Sequence, residues 1–475
     1  MFDVIVIGAG ITGTLIAREL SCYDLKVAVV ERCSDIADGA TMANSAIVHT
    51  GYDPEDGTLK AELNVKGARM YKQLCEDLGC LYKVVGSYVA ACGKEEEQHL
   101  AVLKDRAIRR GITVEEMDGD EARSREKNLN EDVTGVLYFP ETAVIYPWDV
   151  AIAAMENAVE NGVELHLDTT VLDIENKDSG YVVKTDSCTF ETKMVISCAG
   201  THAREIASMV SELVPYDITP RKGEYYVLDQ NTDFVHSIVF PVPGVKGKGI
   251  LAVPTVYGNV LIGPNSAYCN DIDDVDHTTM GLSEVKQGIG KTMKNVPFHK
   301  VIRNFAGLRP SSTMHDFVIQ EYEDAKHFID VACIESPGLA SAPAIAAYVM
   351  EHFVLKELSC RKKESFTLVR KRPLVMSELS LEERNAAIER NPLYGKIICR
   401  CETISEGEIV DCIHSTCGAR SIKGVKKRVR PGMGRCQGGF CEPLVAKILA
   451  RELGIPLEEV TLDGKTSEIL KGENR

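Results

Sequence analysis

Residues 3–7 (DVIVI) form a short unbroken apolar run, the pattern of a strand covered on both faces. Gly8-Ala9-Gly10-Ile11-Thr12-Gly13 follows at once, within a stretch that continues as helix. A second apolar run at 26–30 then ends on Glu31. Strand, glycine turn, helix, strand and acid in this order constrain the fold strongly. They predict an α/β chain that opens on a Rossmann-like dinucleotide-binding unit. Gly8 permits the tight turn, Gly10 lets backbone approach a pyrophosphate, and Gly13 lets helix and strand pack closely. The helix start offers free N–H groups and a positive dipole end to phosphate. Glu31 suits ribose hydroxyls and repels a 2′-phosphate, which disfavours NADP.

Two later segments favour FAD over NAD. Residues 194–197 (MVIS) read as a strand running into Cys198-Ala199-Gly200, a glycine turn at the same sheet. Residues 327–334 read as a late strand, and Ser336-Pro337-Gly338-Leu339 then opens a helix over about 342–355. That helix start can direct its dipole at a flavin carbonyl, where negative charge develops on reduction.

The 475 residues suggest two to four domains. A formal net charge of −16 argues against a nucleic-acid partner, so an anionic substrate needs a local basic pocket. Met1-Phe2-Asp3 shows no basic leader and no apolar run approaches the ~20 residues of a bilayer span, which predicts a cytoplasmic protein with at most peripheral membrane contact. Sixteen cysteines are then expected to be mostly reduced. Ten are scattered between Cys22 and Cys360 and read as small buried hydrophobes.

The other six fall between Cys399 and Cys441. Cys399-Arg400-Cys401 ends an apolar strand, and after a gap of 34 residues Cys436 and Cys441 bracket Gln-Gly-Gly-Phe, at what reads as a helix start. Four thiolates suit either zinc or an iron–sulfur centre. Cys412 and Cys417 lie in the gap and are expected not to be ligands. Residues 423–430 (KGVKKRVR) are basic in an acidic chain. They read as an offset to cluster charge, a docking patch for a partner, or a solvated loop.

Residues 1 to about 365 resemble the FAD-dependent glycerol-3-phosphate dehydrogenases of the anaerobic, soluble type. These share their fold with glycerol-3-phosphate oxidases, L-2-hydroxyglutarate dehydrogenases and D-amino-acid and glycine oxidases. The resemblance is carried by Gly8 to Gly13, the loop 43–52 (ANSAIVHTGY), residues 221–226 (RKGEYY), Gly307-Leu308-Arg309 and Ser336 to Leu339. It implies that Asn44 and Ser45 face FAD, and that His49 serves as base for a substrate hydroxyl, a task suited to its pKa. It implies that Arg309 grips the substrate's anionic group with its bidentate fork, where the residue alone also reads as a surface ion pair. Lys248 is implied in the substrate pocket, although Lys246 and Lys248 also read as solvated hairpin lysines, and Arg221 and Lys222 stand equally open. Ile11, Thr12, Arg32, Val171, Ala199, Gly200, Gly307, Ser336, Gly338 and Leu339 complete the implied cofactor site. Ser336 and Ser341 also read as helix caps. Ala46 and Thr50 depart from the family's usual glycine and its alanine or serine. The local GRCQGGFC resembles the bacterioferritin-associated-ferredoxin-like domain, which implies a [2Fe–2S] cluster on Cys399, Cys401, Cys436 and Cys441.

The expected architecture is therefore a discontinuous FAD-binding domain (1–79, 146–215 and 301–360) and a mixed-sheet substrate domain (80–145 and 216–300). A linker (361–394), a small α-rich iron–sulfur domain (395–455) and a tail (456–475) follow. The resemblance implies oxidation of sn-glycerol 3-phosphate to dihydroxyacetone phosphate, with electrons passing through the cluster to a partner flavoprotein or subunit and not to oxygen. A 2-hydroxy-acid or amino-acid dehydrogenase is the alternative enzyme. A non-catalytic electron-transfer subunit carrying FAD and the cluster is the alternative of another class.

Overall fold

Strand β1 (Phe2–Ile7) lies between β2 (Val27–Val30) and the strand Thr189–Ser197, parallel to both. Its side chains alternate between two cores: Val4 and Val6 face one, Phe2, Ile5 and Ile7 the other. That division is why the run is apolar at nearly every position. The parallel set extends through Glu164–His166 beyond β2 and Ala325–Ala332 beyond Ser197, within an eight-stranded sheet. Helix α1 (Ile11–Ser21) packs on the helices Pro147–Glu160 and Gly338–Val349. The computed structural model describes residues 1–230, 232–244 and 249–472; Lys246 and Lys248 lie outside them.

A second, nine-stranded sheet is mostly antiparallel. Its centre of interest is Arg221–Leu228, paired along its length with Val301–Arg309, so that Arg221 stands directly across from Arg309. Strand β3 (Ile47–Val48) belongs to a small three-stranded sheet with Ala143–Ile145 and Tyr82–Val84. It delivers the next residue, His49, between the two large sheets. Helix α2 (Leu59–Leu78), capped by the Thr58 hydroxyl, lies against Gly338–Val349.

Three expectations need correction. The stretch 361–394 is not a loose linker. Arg370 is buried against Glu156, the Asn157 and Asn161 amides donate to Thr367 O, and Ser380 and Glu383 form a capping box on the helix Leu381–Arg390. Some of its charges, Arg370, Arg372 and Arg384 among them, have fixed partners, which composition alone does not reveal. The helical stretch Gly338–Glu357 is long and apolar enough to cross a membrane, yet 61% of that window is buried inside the fold, against α1 and α2, as a core helix. The last cysteine pair does not open a helix at Cys436; that helix begins at Glu442. The four-cysteine region has its own apolar core, centred on Ile409, Ile413, Val425 and Leu449. Part of the expected tail packs on it, since Ile422 and Lys423 donate their N–H groups to Thr461 O and Leu462 O.

Candidate active site

A cavity of about 1020 Å³ opens at the carboxyl ends of the parallel strands, between the two large sheets. This is where open α/β sheets hold ligands. Its wall includes Gly8, Gly10, Ile11, Thr12, Glu31, Arg32, Asn44, Ser45, His49, Val171, Ala199, Gly200, Gly307, Arg309, Ser336, Gly338 and Leu339. Of the residues expected there, Gly13 is behind the wall, where it serves packing. A Cβ on Gly13 would stand 2.0 Å from Gly8 O, and one on Gly8, at φ +101°, 2.6 Å from Cys198 O. Gly10 offers no side-chain cap, and the Thr41 hydroxyl takes the Ile11 N–H instead; the helix start lines the cavity with its dipole directed there. The Glu31 carboxylate is oriented by the N–H groups of Ala9 (2.7 Å) and Cys33 (2.9 Å).

Asn44 shapes its own loop. Its amide donates to Ala40 O and Thr41 O and its carbonyl accepts from Ala46 N, which sits at φ +61°. Ser45 meets the Tyr225 hydroxyl at 3.0 Å, and that ring stacks on Phe305 with centroids 4.5 Å apart. His49 is buried, its carbonyl accepts from the Asn64 amide at 2.8 Å, and its ring lies 5.4 Å from that of Phe240. Arg32 pairs with Asp273 at 2.7 Å on the cavity rim.

The two arginines differ in their partners. Arg221 pairs with Glu335 at 3.1 Å, and Glu335 also holds Lys60 at 2.9 Å and the Ser311 hydroxyl at 2.7 Å. Arg309 donates to Asn265 O at 3.2 Å and forms no ion pair with a carboxylate among the described residues. Burial, with Arg221 adding to it, holds the Arg309 guanidinium below its ordinary pKa. The alternation of the strand also separates Arg221 from Lys222, which turns away and is buried against Asp274 and Asp276 O. Ser336 lines the cavity, whereas Ser341 bonds Pro337 O inside its helix. Sequence reasoning missed Thr41, whose hydroxyl accepts from Ile11 N at 2.9 Å, and Glu335. The signal for Glu335 was its place immediately before Ser336.

The four cysteines are brought together as two pairs. Cys401 and Cys436 have sulfurs 3.8 Å apart, the edge of a tetrahedron whose thiolate bonds are roughly 2.3 Å. The Cys441 thiol and the N–H groups of Gly432, Glu402 and Cys401 point at Cys399 and hold it down to about 6. Among the described residues no three His, Cys, Asp or Glu side chains gather around one point suited to a single metal ion. Two pairs suit a two-iron cluster better than a mononuclear zinc site. Cys412 and Cys417 are buried, and burial pushes both up to about 12.

Residues 3–352 match the family described as FAD dependent oxidoreductase, and residues 397–451 the BFD-like [2Fe-2S] binding domain. The chain belongs to the FAD-dependent oxidoreductases. This flavoenzyme is 45% identical over its full length to a glycerol 3-phosphate dehydrogenase of Caloramator mitchellensis, 99% of which is covered. A glycerol 3-phosphate oxidase of Mycoplasma genitalium is 32% identical over 74% of this chain and 95% of its own. The FAD-bound L-alpha-glycerophosphate oxidase of Mycoplasma pneumoniae superposes with a TM-score of 0.75 at 28% identity, over 79% of this chain and 99% of that one. The oxidoreductase thus carries an FAD-binding unit and, beyond it, a [2Fe–2S]-binding domain. The helix start at Gly10 in the cavity wall, the fixed Glu31 carboxylate and the two thiol pairs fit these groups.

Proposed function

We propose that the chain oxidises sn-glycerol 3-phosphate to dihydroxyacetone phosphate and passes the electrons through the cluster to a protein acceptor. The observation that carries the substrate class is Arg309: a cation in the cavity wall, beside a second arginine, with no ion-paired carboxylate among the described residues. An anion placed there relieves the repulsion between the two guanidiniums and gains charge-assisted hydrogen bonds. Glu335 neutralises Arg221 and leaves Arg309 to the ligand. The names of the full-length relative and the two oxidases support phosphate as that anion and glycerol as its carrier.

In this reading Arg309 grips the phosphate, and Lys248 joins the substrate pocket. An imidazole nitrogen of His49 accepts the proton of the C2 hydroxyl as the C2 hydride departs. Glu31 holds the ribose of the cofactor, the α1 start and the loop carrying Asn44 and Ser45 surround its pyrophosphate, and the helix start at Gly338 faces the flavin. When bound, FAD supplies a two-electron acceptor and the cluster a one-electron carrier. Cys399, Cys401, Cys436 and Cys441 hold the latter. A cluster on the same chain as a flavin favours a protein acceptor over oxygen.

A substrate panel under argon tests this. Glycerol 3-phosphate is expected to bleach the flavin while 2-hydroxyglutarate and amino acids do not, and a dye acceptor is expected to outrun oxygen. Bleaching by another substrate alone contradicts the assignment, and rapid stoichiometric peroxide contradicts the acceptor.

A further inference from the structure

The basic stretch 423–430 is engaged inside this chain. Helix Ile422–Val429, capped by Ser421, lies on the loop that follows β2. The Lys427 ammonium is fully buried; it donates to Ile36 O and pairs with Asp35 at 3.1 Å and Asp38 at 2.9 Å. Arg428 grips both oxygens of Asp35, at 2.8 and 2.9 Å, and Lys423 reaches Asp38 at 3.2 Å. Just past the helix, Arg430 lays its guanidinium 3.7 Å from the Tyr257 ring centroid. It also donates to the Tyr146 hydroxyl at 2.9 Å and to Glu402 at 3.0 Å.

The two ends of this set of contacts reach the cofactor cavity and the thiol pairs. Asp38 lines the cavity. Tyr146 follows Ile145, whose N–H donates to Ala46 O in the cavity wall. Glu402 adjoins Cys401. Buried ion pairs add little net stability, because desolvation offsets attraction, but a misplaced register leaves charges buried and unpaired. They therefore specify one arrangement of the two surfaces.

We propose that this seam fixes the cysteine loop against the cofactor cavity, with Arg430 as its positioning residue, so that electrons pass from flavin to cluster within one chain. The inference rests on the reading that the cluster takes its electrons from the flavin. The substrate gives two electrons to FAD as hydride. Reduced flavin then gives one electron to the oxidised cluster, turning one ferric iron ferrous, and the flavin's proton goes to solvent. The second electron follows once an external one-electron acceptor, ferricyanide in the test, has reoxidised the cluster.

The holoenzyme is mixed under argon with whichever substrate bleaches its flavin, and flavin and cluster absorbance are followed separately. Hydrogen exchange of residues 35–41 and 399–402 is measured in parallel. Arg430 sits at φ +69°, a conformation glycine adopts freely, so Arg430→Gly removes the side chain without straining the backbone. Tyr257→Leu removes the aromatic face instead, and Arg430→Lys keeps a charge for Glu402 without the planar fork. Both deletions are expected to leave flavin reduction unchanged and to slow cluster reduction about tenfold or more, in step with the lost docked fraction. Exchange is expected to rise at both segments, with Arg430→Lys falling between. Wild-type cluster reduction and wild-type protection in both deletions overturn the proposal. A wild-type cluster that stays oxidised while the flavin bleaches overturns the electron route itself, and the exchange data then decide the seam alone.

Discussion

In the proposed reading Arg309 and His49 carry separable tasks, and kinetics distinguish them. There Arg309 would contact a group that keeps its charge throughout the reaction, so its loss would weaken substrate and transition state alike. Arg309→Ala is expected to raise KM by about 10- to 100-fold, the equivalent of ~1.5–3 kcal/mol for a hydrogen bond to a charged group, with kcat less affected. His49→Ala is expected to lower kcat by ~10²–10⁴ at full flavin content. Steady-state kinetics with a dye acceptor check both, and an unchanged KM in the first variant or unchanged kcat in the second removes the assigned role. These two residues were legible because each stands inside a compact string, ANSAIVHTGY or GLR. Glu335 was not, because its importance lies in partners 275 and 114 residues away, Lys60 and Arg221. Its place before Ser336 sets it near the site, but nothing local marks it as the partner of Lys60 and Arg221.

The helix Ile422–Val429 shows the same limit at the scale of elements. Its basic composition pointed outward, yet the acids that answer it are Asp35 and Asp38, in a loop nearly four hundred residues earlier. The glycine turn and its helix were legible because turn, dipole and packing requirements all fall within thirty residues. The seam pairs two segments that periodicity treats separately. It also has a pH signature. Burial raises the Asp35 pKa, but Arg428 and Lys427 more than reverse this and hold the carboxyl far below the usual range. A depressed carboxylate contributes stability above its unfolded pKa of about 3.9 and loses it as pH falls from there toward the folded value. Asp35→Asn is therefore expected to lower Tm at pH 7, with the deficit shrinking below about pH 4. Thermal unfolding across that range checks it, and a deficit independent of pH contradicts the ion-pair account.

Over the whole molecule, a net charge of −16 surrounds a cavity whose wall carries acids and bases, with Arg221 and Arg309 side by side at one point. The chain needs such a pocket to admit an anion at all. The order of FAD-binding unit and cluster domain was legible in the sequence, because glycine and cysteine motifs are local. Their mutual placement was not, because it depends on charges paired across the chain. In the proposed reading one polypeptide joins a substrate-reduced flavin to a thiolate-held cluster. Anaerobic titration with glycerol 3-phosphate, read in one absorbance spectrum, tests it most directly. FAD takes two electrons and the cluster one, so both chromophores are expected to bleach together and reach an end point near three electrons, or about 1.5 equivalents of substrate, per chain. A flavin that bleaches at one equivalent beside a cluster that stays oxidised contradicts the account.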